Sequence, residues 1–115
     1  MALAFIWLTP DFATAGQLSA EDVEQAAAAG FRSIVNNRPD YEGGPSQPTS
    51  QAMQQAAEAA GLRYEFLPVQ SGFQTPAEIE RMYELLEALP KPVLGYCRSG
   101  ARTSNLFRAA KALGK

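Results

Sequence analysis

Residues 93–103 read Val-Leu-Gly-Tyr-Cys-Arg-Ser-Gly-Ala-Arg-Thr, and this stretch decides the fold class that the sequence predicts. Its first four residues are mostly apolar and predict a short buried strand that leads directly into Cys97. Apolar residues at helical spacing follow Thr103 and predict a helix. Such a strand–loop–helix unit places unpaired N–H groups and the positive end of the helix dipole around the loop. Gly100 permits the tight turn, and the loop is therefore predicted to bind an anion.

Composition limits the chemistry that can take place at this loop. The chain has 115 residues, a single cysteine, no histidine and a net charge of −2. Without histidine it lacks Ser-His-Asp triads, Cys-His dyads and histidine-ligated metal sites, and one cysteine excludes an internal disulfide. The charge balance argues against nucleic acid as a partner. We expect no metal and no other cofactor, and the nucleophile is expected to be Cys97.

The N-terminal apolar run is too short for a membrane span and lacks the basic start of a secretory signal. We interpret residues 4–8 as a buried strand and expect Trp7 to lie in the core. We also expect no membrane association and a cytoplasmic location, where a lone free thiol is stable.

Four strand-like runs alternate with four helix-like runs, which predicts right-handed crossovers in a single domain spanning residues 1–115. The expected fold class is α/β, a three-layer α/β/α arrangement around a mostly parallel sheet of four to five strands. Helix starts are predicted at Ser19, at Thr49 or Ser50, and at Thr75. Ligands of such sheets bind beyond the carboxyl ends of the strands. Four loops are predicted to lie there: residues 9–18, 36–49, 68–75 and 97–101.

Cys97 is predicted to be activated by its surroundings. The loop amides and the helix end favour the thiolate, which lowers the pKa of a cysteine and makes it a nucleophile without histidine. The alternative is that Cys97 is a small buried hydrophobic residue. The candidate site comprises Cys97 and Arg102 as catalytic residues, with Arg98, Ser99, Gly100, Ala101 and Thr103 forming the anion loop.

The loop Cys97-Arg98-Ser99-Gly100-Ala101-Arg102 resembles those of rhodanese-type sulfurtransferases and of cysteine-dependent tyrosine and dual-specificity phosphatases. Over nearly the whole chain the sequence resembles the phosphatase-like domain of the bacterial beta-lactamase hydrolase-like protein family. Besides the loop, the resembling segments are residues 9–11, 16–19, 35–40 and 67–69. The resemblance implies a protein tyrosine phosphatase-like fold and either phosphatase or sulfurtransferase activity. It also implies possible fusion to, or association with, metallo-hydrolase-like or sulfide- or persulfide-oxidising enzymes.

Two departures from the phosphatase pattern favour sulfur chemistry. Tyr96 stands where the phosphatase signature has histidine, and four residues rather than five separate Cys97 from Arg102. The segment 68–75, where a phosphatase is expected to carry its general acid, has no carboxylate. The leading prediction is therefore a sulfurtransferase that forms a persulfide on Cys97 and passes sulfur from thiosulfate or a persulfide to a thiol acceptor.

Two further hypotheses stay open. One is a phosphatase that hydrolyses phosphoesters through a phosphocysteine at Cys97. The other is a non-catalytic module that binds anions or docks onto a partner enzyme. The physiological donor and acceptor and the oligomeric state are left open by the sequence.

Supporting residues are expected on the neighbouring loops. Arg38 either contacts the anion or pairs with Asp40 to brace its own turn, and bracing is favoured. Gln17 either donates to substrate or satisfies a helix end. Asp40 is a possible general acid, and either it or Glu42 serves only if the segment 38–44 folds over Cys97.

Overall fold

Short strands alternate with helices along residues 3–114, the part of the chain that the computed structural model describes. None of the helices in this part is long and apolar enough to cross a membrane. The elements in chain order are β1 (Ile6–Thr9), β2 (Phe12–Ala15), α1 (Ala20–Ala28), β3 (Ser33–Asn36), α2 (Ser50–Ala59), β4 (Arg63–Phe66), α3 (Pro76–Ala88), β5 (Val93–Tyr96) and α4 (Ala101–Ala112).

The five strands form one mixed sheet in the order β1-β2-β5-β3-β4. β2, β5, β3 and β4 run parallel, and β1 pairs with β2 in the antiparallel direction. The expected α/β class and mostly parallel sheet are thereby confirmed. β5 is the central strand, so the residue that follows it, Cys97, emerges at the middle of the carboxyl edge.

Side chains of the central strands alternate between two apolar clusters, one on each face of the sheet. Ile34 and Leu94 belong to the cluster that includes residues of α1 and α2. Val35 and Val93 belong to the cluster that includes residues of α3 and α4. Helices therefore cover both faces, and the three-layer arrangement is confirmed.

Three of the four helices start where local sequence signals predict. Ser19 accepts from the N–H of Asp22, Thr49 from that of Ala52 and Thr75 from that of Glu78. Each bond satisfies one of the amides that a helix start leaves unpaired. α4 differs, because its first turn follows Gly100 and has no side-chain cap. Its N-terminal amides are left for other partners.

The N-terminal region corrects the sequence interpretation. The segment 9–18 was expected to be a loop, yet it contains β2, whose four residues are all buried. β2 lies between β1 and β5 and is covered on both faces, so it lacks the alternation that marks a half-buried strand. The expected buried strand at 4–8 is the edge strand β1, and its Ile6 is 69% exposed. Trp7 is not in the core; it is 48% exposed, although its ring stacks on Phe31 at 5.1 Å.

Gly95 allows β5 and α4 to pack closely beneath the site. A Cβ at this position would lie 2.7 Å from Thr103 Cγ2 and 2.8 Å from Phe12 Cζ. Both neighbours are buried, so neither has free space into which it can move. The first turn of α4 can therefore sit against β5 only because residue 95 has no side chain.

We expect Gly95→Ala to lower the free energy of unfolding by about 1–3 kcal/mol, because the added methyl overpacks a filled interior. Urea denaturation checks this value. Adding Thr103→Ser removes the closer of the two methyl contacts and is expected to restore part of the loss. Equal stability of Gly95→Ala and the wild type would contradict the packing described here.

Candidate active site

Cys97 lies where β5 passes into the loop that precedes α4, and its side chain is fully buried. Gly100 takes a φ of 94° and turns its N–H back to Cys97 Sγ at 3.1 Å. The N–H of Gln17 donates to the carbonyl of Arg98 at 3.2 Å and ties the loop to the end of β2. The loop is thus closed around the sulfur, as the sequence predicts.

Hydrogen bonds to the sulfur set its acidity. Burial by itself raises the pKa of the Cys97 thiol. The amide and hydroxyl of Thr103 and the amides of Ser99 and Gly100 act in the opposite direction, and the net pKa lies below its ordinary value. Donors aimed at the sulfur stabilise the thiolate, which is the nucleophilic form. The sulfur is therefore activated without a histidine.

Thr103 joins the sulfur to the neighbouring strand. Its hydroxyl faces Sγ and donates to Asn37 Oδ1 at 2.9 Å, and its single proton can serve one acceptor at a time. Asn37 in turn donates from Nδ2 to the carbonyl of Leu67 at 2.8 Å, which fixes the orientation of its amide. Both Thr103 and Asn37 are fully buried. This chain links the ends of β3, β4 and β5, and sequence reasoning did not identify Asn37 as part of it.

Arg102 projects from the first turn of α4 and is largely buried. Its Nη1 donates to the carbonyl of Val69 at 3.0 Å and to Glu42 Oε2 at 2.8 Å, and its Nη2 donates to Glu42 Oε1 at 2.6 Å. The pairing with Glu42 raises the pKa of Arg102, and the nearby Cys97 acts in the same direction. A fork of two N–H groups holding two oxygens is the geometry with which arginine binds carboxylate or phosphate.

Glu42 bridges two guanidinium groups. Besides Arg102, it accepts from Arg38 Nε at 2.9 Å. Arg38 also donates from Nη1 to Gln17 Oε1 at 3.0 Å, and Gln17 donates from Nε2 to the carbonyl of Leu18. Arg38 therefore braces its own segment, with Glu42 rather than Asp40 as the acidic partner. Gln17 thus accepts a hydrogen bond from Arg38 and satisfies the carbonyl of Leu18, just before α1.

The segment that carries Glu42 folds toward the anion loop and is held there by its own side chains. Gln47 accepts from the N–H of Gly43 at 2.7 Å and donates to the carbonyl of Pro39 at 2.9 Å. Asp40, a possible general acid by sequence, accepts from the N–H of Ser50 at 2.7 Å, at the start of α2. A Cβ at Gly43 would lie 2.6 Å from Arg38 Nη2, so a side chain at this position would displace the end of the guanidinium.

A cavity of about 910 Å³ opens above the loop. Five of the residues predicted from sequence line it together, and Glu42, Gly43 and Ser71 complete the lining. Gln17 and Asp40 do not belong to this lining. Cys97 has no exposed surface and contacts lining residues from below. The five predicted residues are Arg38, Arg98, Ser99, Ala101 and Arg102.

Charge dominates this cavity. Three guanidinium groups line it against the single carboxylate of Glu42. Among residues 3–114 there is no cluster of three or more metal-ligating side chains. The cavity therefore suits an anion with more than one charge. The sequence indicated Glu42 only as a possible acid, and its spacing of four residues from Arg38 is the local signal for the ion pair that it forms instead.

Tyr96 precedes the nucleophile and has a fully buried ring. Its hydroxyl finds no hydrogen-bond partner among the described residues, and burial raises the pKa of this phenol far above its ordinary value. Tyr64 lies nearby and differs, because its hydroxyl accepts from Asn36 Nδ2 at 3.0 Å and contacts Ser50 Oγ at 2.7 Å. Tyr96 fills space beside the site as a neutral side chain.

Comparisons with known proteins agree with this geometry. Residues 4–114 match the sequence family described as "Beta-lactamase hydrolase-like protein, phosphatase-like domain". A beta-lactamase hydrolase-like protein from Agrobacterium fabrum is 37% identical over 99 residues, which cover 86% of this chain and 23% of that protein. The chain thus spans about a quarter of the length of such relatives.

Solved structures share the fold. A candidate phosphatase from Neisseria meningitidis superposes with a TM-score of 0.82 at 31% identity, covering 96% of this chain and 88% of that one. The catalytic domain of a PP-IP phosphatase from S. cerevisiae gives a TM-score of 0.69 at 14% identity, covering 92% of this chain and 64% of that one. At that identity the second likeness concerns the fold alone.

Thr103→Val removes a hydroxyl whose proton can turn from Asn37 Oδ1 to the thiolate, and we expect it to raise the pKa of Cys97. Because thiolate forms as the pH rises through the pKa, the rate of alkylation by iodoacetamide should reach its plateau at higher pH than in the wild type. Ser104→Ala is the control, since Ser104 donates to the carbonyl of Gly100 and not to the sulfur. Coincident pH profiles for the wild type and Thr103→Val would contradict the assigned role.

Tyr96→Phe and Tyr64→Phe form a matched pair for stability. Removing the unpartnered hydroxyl of Tyr96 should leave the free energy of unfolding unchanged or raise it by about 1–3 kcal/mol. Removing that of Tyr64 breaks two hydrogen bonds and should lower it by about 1–2 kcal/mol. Thermal and urea denaturation measure both changes. Similar losses in the two variants would show that the Tyr96 hydroxyl is bonded in solution.

Proposed function

We propose that this chain, which belongs to the family of phosphatase-like domains of beta-lactamase hydrolase-like proteins, is a phosphatase. It would act through a covalent phosphocysteine at Cys97. The observation that carries the proposal is the loop of residues 97–103. It directs amides at a buried sulfur of lowered pKa and places the forked guanidinium of Arg102 beside it. Phosphoryl transfer is the chemistry to which a nucleophile, an anion loop and an arginine clamp are suited.

Substrate binding begins at Arg102. Its two N–H donors hold two oxygens of Glu42, and a phosphoryl group offers two oxygens in a similar arrangement. Since Cys97 is buried under the loop, the phosphoryl group reaches Sγ by replacing the Glu42 carboxylate on Arg102. Arg98 and Arg38 line the same cavity and offset the remaining charge.

In the first chemical step the Cys97 thiolate attacks phosphorus. The S–P bond forms as the bond from phosphorus to the leaving oxygen breaks, and that oxygen takes the electron pair. The phosphoryl oxygens accept hydrogen bonds from the loop amides and from Arg102, which stabilise the charge of the transition state.

In the second step water attacks the phosphorus of phosphocysteine. The S–P bond breaks, the sulfur leaves as thiolate, and inorganic phosphate is released as the dihydrogen anion with both protons of the attacking water. The donors that lower the pKa of Cys97 also make it a good leaving group in this step.

The leading sequence prediction, sulfur transfer, is not supported. The family is described as phosphatase-like, and the Neisseria structure is described as a candidate phosphatase. The missing acid in segment 68–75 argued against phosphatases in general, but it bears only on leaving groups that require a proton. A cavity with three guanidinium groups suits a phosphoryl group well.

The matched relatives are about four times longer than the segment they share with this chain, so their other parts bear on possible partners. Because this chain matches 23% of the length of the Agrobacterium protein, a fused or associated hydrolase-like enzyme remains part of the proposal. Such an enzyme would supply or consume the phosphorylated substrate, and it is not required for the two steps at Cys97.

Cys97→Ser is expected to abolish release of phosphate from 4-nitrophenyl phosphate, and Arg102→Lys to reduce kcat/KM by about 10²–10³-fold, because a single ammonium cannot replace the fork. Arg81→Lys is the control, since Arg81 lies on α3 and pairs with Glu84 and Glu65 outside the cavity. Assays of phosphate release and intact-mass detection of phosphocysteine measure these effects.

The same preparations test sulfur transfer by incubation with thiosulfate and cyanide. Cys97-dependent formation of thiocyanate without phosphate release would refute the phosphatase proposal. Absence of both activities, with neither phosphocysteine nor persulfide on Cys97, would favour a non-catalytic binding module.

A further inference from the structure

The proposed first step releases an oxygen that carries an electron pair. An alkoxide is a poor leaving group unless a positioned acid protonates it, and general acid catalysis contributes about 10²–10⁴-fold to such reactions. Oxygens that leave as stable anions need no proton. The substrate class therefore depends on whether a proton donor stands at the cavity.

Glu42 is the carboxylate that lines the cavity among the described residues. All 12 Asp and Glu residues of the chain lie within the described range, and Glu42 alone among them lines the cavity. Both oxygens of Glu42 accept from guanidinium groups: Oε1 from Arg38 and Arg102, and Oε2 from Arg102. These N–H groups occupy three of the four lone-pair sites of the carboxylate, and Arg38 still donates to Oε1 when a phosphoryl group replaces Glu42 on Arg102. Glu42 therefore keeps a cationic partner that favours its ionised form over the acid.

Acidity agrees with the contacts. The hydrogen bond from Arg102 lowers the pKa of Glu42, and that from Arg38 adds to the effect, while partial burial opposes them. The net pKa lies below the ordinary value for Glu, so the group is ionised at neutral pH. Glu42 is thus an anion that positions two arginines, rather than an acid.

Two other possible donors are placed elsewhere. Asp40 bonds the N–H of Ser50 at the start of α2 and does not line the cavity. Segment 68–75 contributes Ser71 to the lining and contains no carboxylate. Serine hydroxyls are too weakly acidic to protonate a leaving alkoxide at neutral pH.

We infer that the site takes phosphoryl groups carried on an oxygen that leaves as a stable anion, namely acyl phosphates and phosphoanhydrides, in preference to alkyl phosphate esters. The inference rests on the proposed phosphatase function and narrows its substrate. The departing carboxylate or phosphate keeps the electron pair of the broken P–O bond. Arg38 and Arg98 offer it donors at the cavity surface, so charge balances without a proton.

The test is a series of leaving groups. Phosphate release from 2,4-dinitrophenyl, 4-nitrophenyl and phenyl phosphate is measured at neutral pH, together with acetyl phosphate, inorganic pyrophosphate and glycerol phosphate. We expect kcat/KM to fall by about 10²–10⁴-fold from the most to the least acidic phenol, since no acid compensates. Acetyl phosphate or pyrophosphate should be hydrolysed, and glycerol phosphate should lie below detection or at a similarly reduced rate.

Variants separate the role of Glu42 from that of the fold. Glu42→Gln keeps the shape of the side chain but cannot donate an acidic proton, and it should retain the steep dependence seen in the wild type. Glu84→Gln is the matched control, because Glu84 forms an exposed ion pair with Arg81. Thermal denaturation of each variant establishes whether it is folded. If Glu42→Gln does not fold, the leaving-group series measured on the wild type decides the inference by itself.

Two outcomes overturn the inference and leave the phosphatase proposal intact. One is a nearly flat dependence on leaving-group acidity with efficient hydrolysis of glycerol phosphate. The other is a flat wild-type series that becomes steep in Glu42→Gln, which would identify Glu42 as the acid. If no substrate, including 2,4-dinitrophenyl phosphate, gives Cys97-dependent phosphate release, the proposed function itself fails and this inference fails with it.

Discussion

The ion pair between Glu42 and Arg102 joins the two halves of the site, and the shape of the cavity depends on it. Glu42 belongs to the segment that follows β3, and Arg102 belongs to the first turn of α4. Arg102 is largely buried, with a side chain 9% exposed, so its charge requires a partner in the protein. Because Arg38 shares the same carboxylate, one anion fixes two cations at the mouth of the cavity.

This arrangement has consequences for binding. The three guanidinium groups exceed the one carboxylate at the cavity, and the thiolate of Cys97 adds a second negative charge below it. Under the proposed function, a phosphoryl dianion therefore competes with Glu42 for Arg102 rather than meeting an open cation. The affinity of such an anion reflects the difference between two ion pairs, which is smaller than the strength of the new pair alone. Selectivity for multiply charged anions follows from that competition.

Local signals made much of the fold predictable, and long-range contacts made the rest unpredictable. The bonds at Ser19 and Thr75 join residues three apart, so the sequence alone contains both partners. β2 was missed because Phe12–Ala15 follows a two-residue turn and is buried on both faces, which leaves no periodic pattern.

The site also has one part that local sequence predicts and another that depends on long-range contacts. The loop of residues 97–103 is a contiguous segment and was recognisable as an anion site from its own residues. The roles of Asn37 and Glu42 arise from contacts with residues 66 and 60 positions away, and no local pattern contains them. The sequence indicated Glu42 as a possible acid, and the only local clue to its ion pair is the i, i+4 spacing from Arg38.

The number of residues between Cys97 and Arg102 determines on which side of α4 the arginine lies. Successive residues of a helix are rotated by about 100°, so an arginine one position earlier projects from a different side of the first turn. Thr103, at the position where the longer phosphatase loop carries arginine, points inward to Asn37 and the sulfur. Arg102 instead reaches the cavity beside Val69 and Glu42. The shorter loop thus determines the direction from which the guanidinium approaches an anion, while the loop amides and Thr103 lower the pKa of Cys97. The spacing therefore does not separate sulfur from phosphate chemistry.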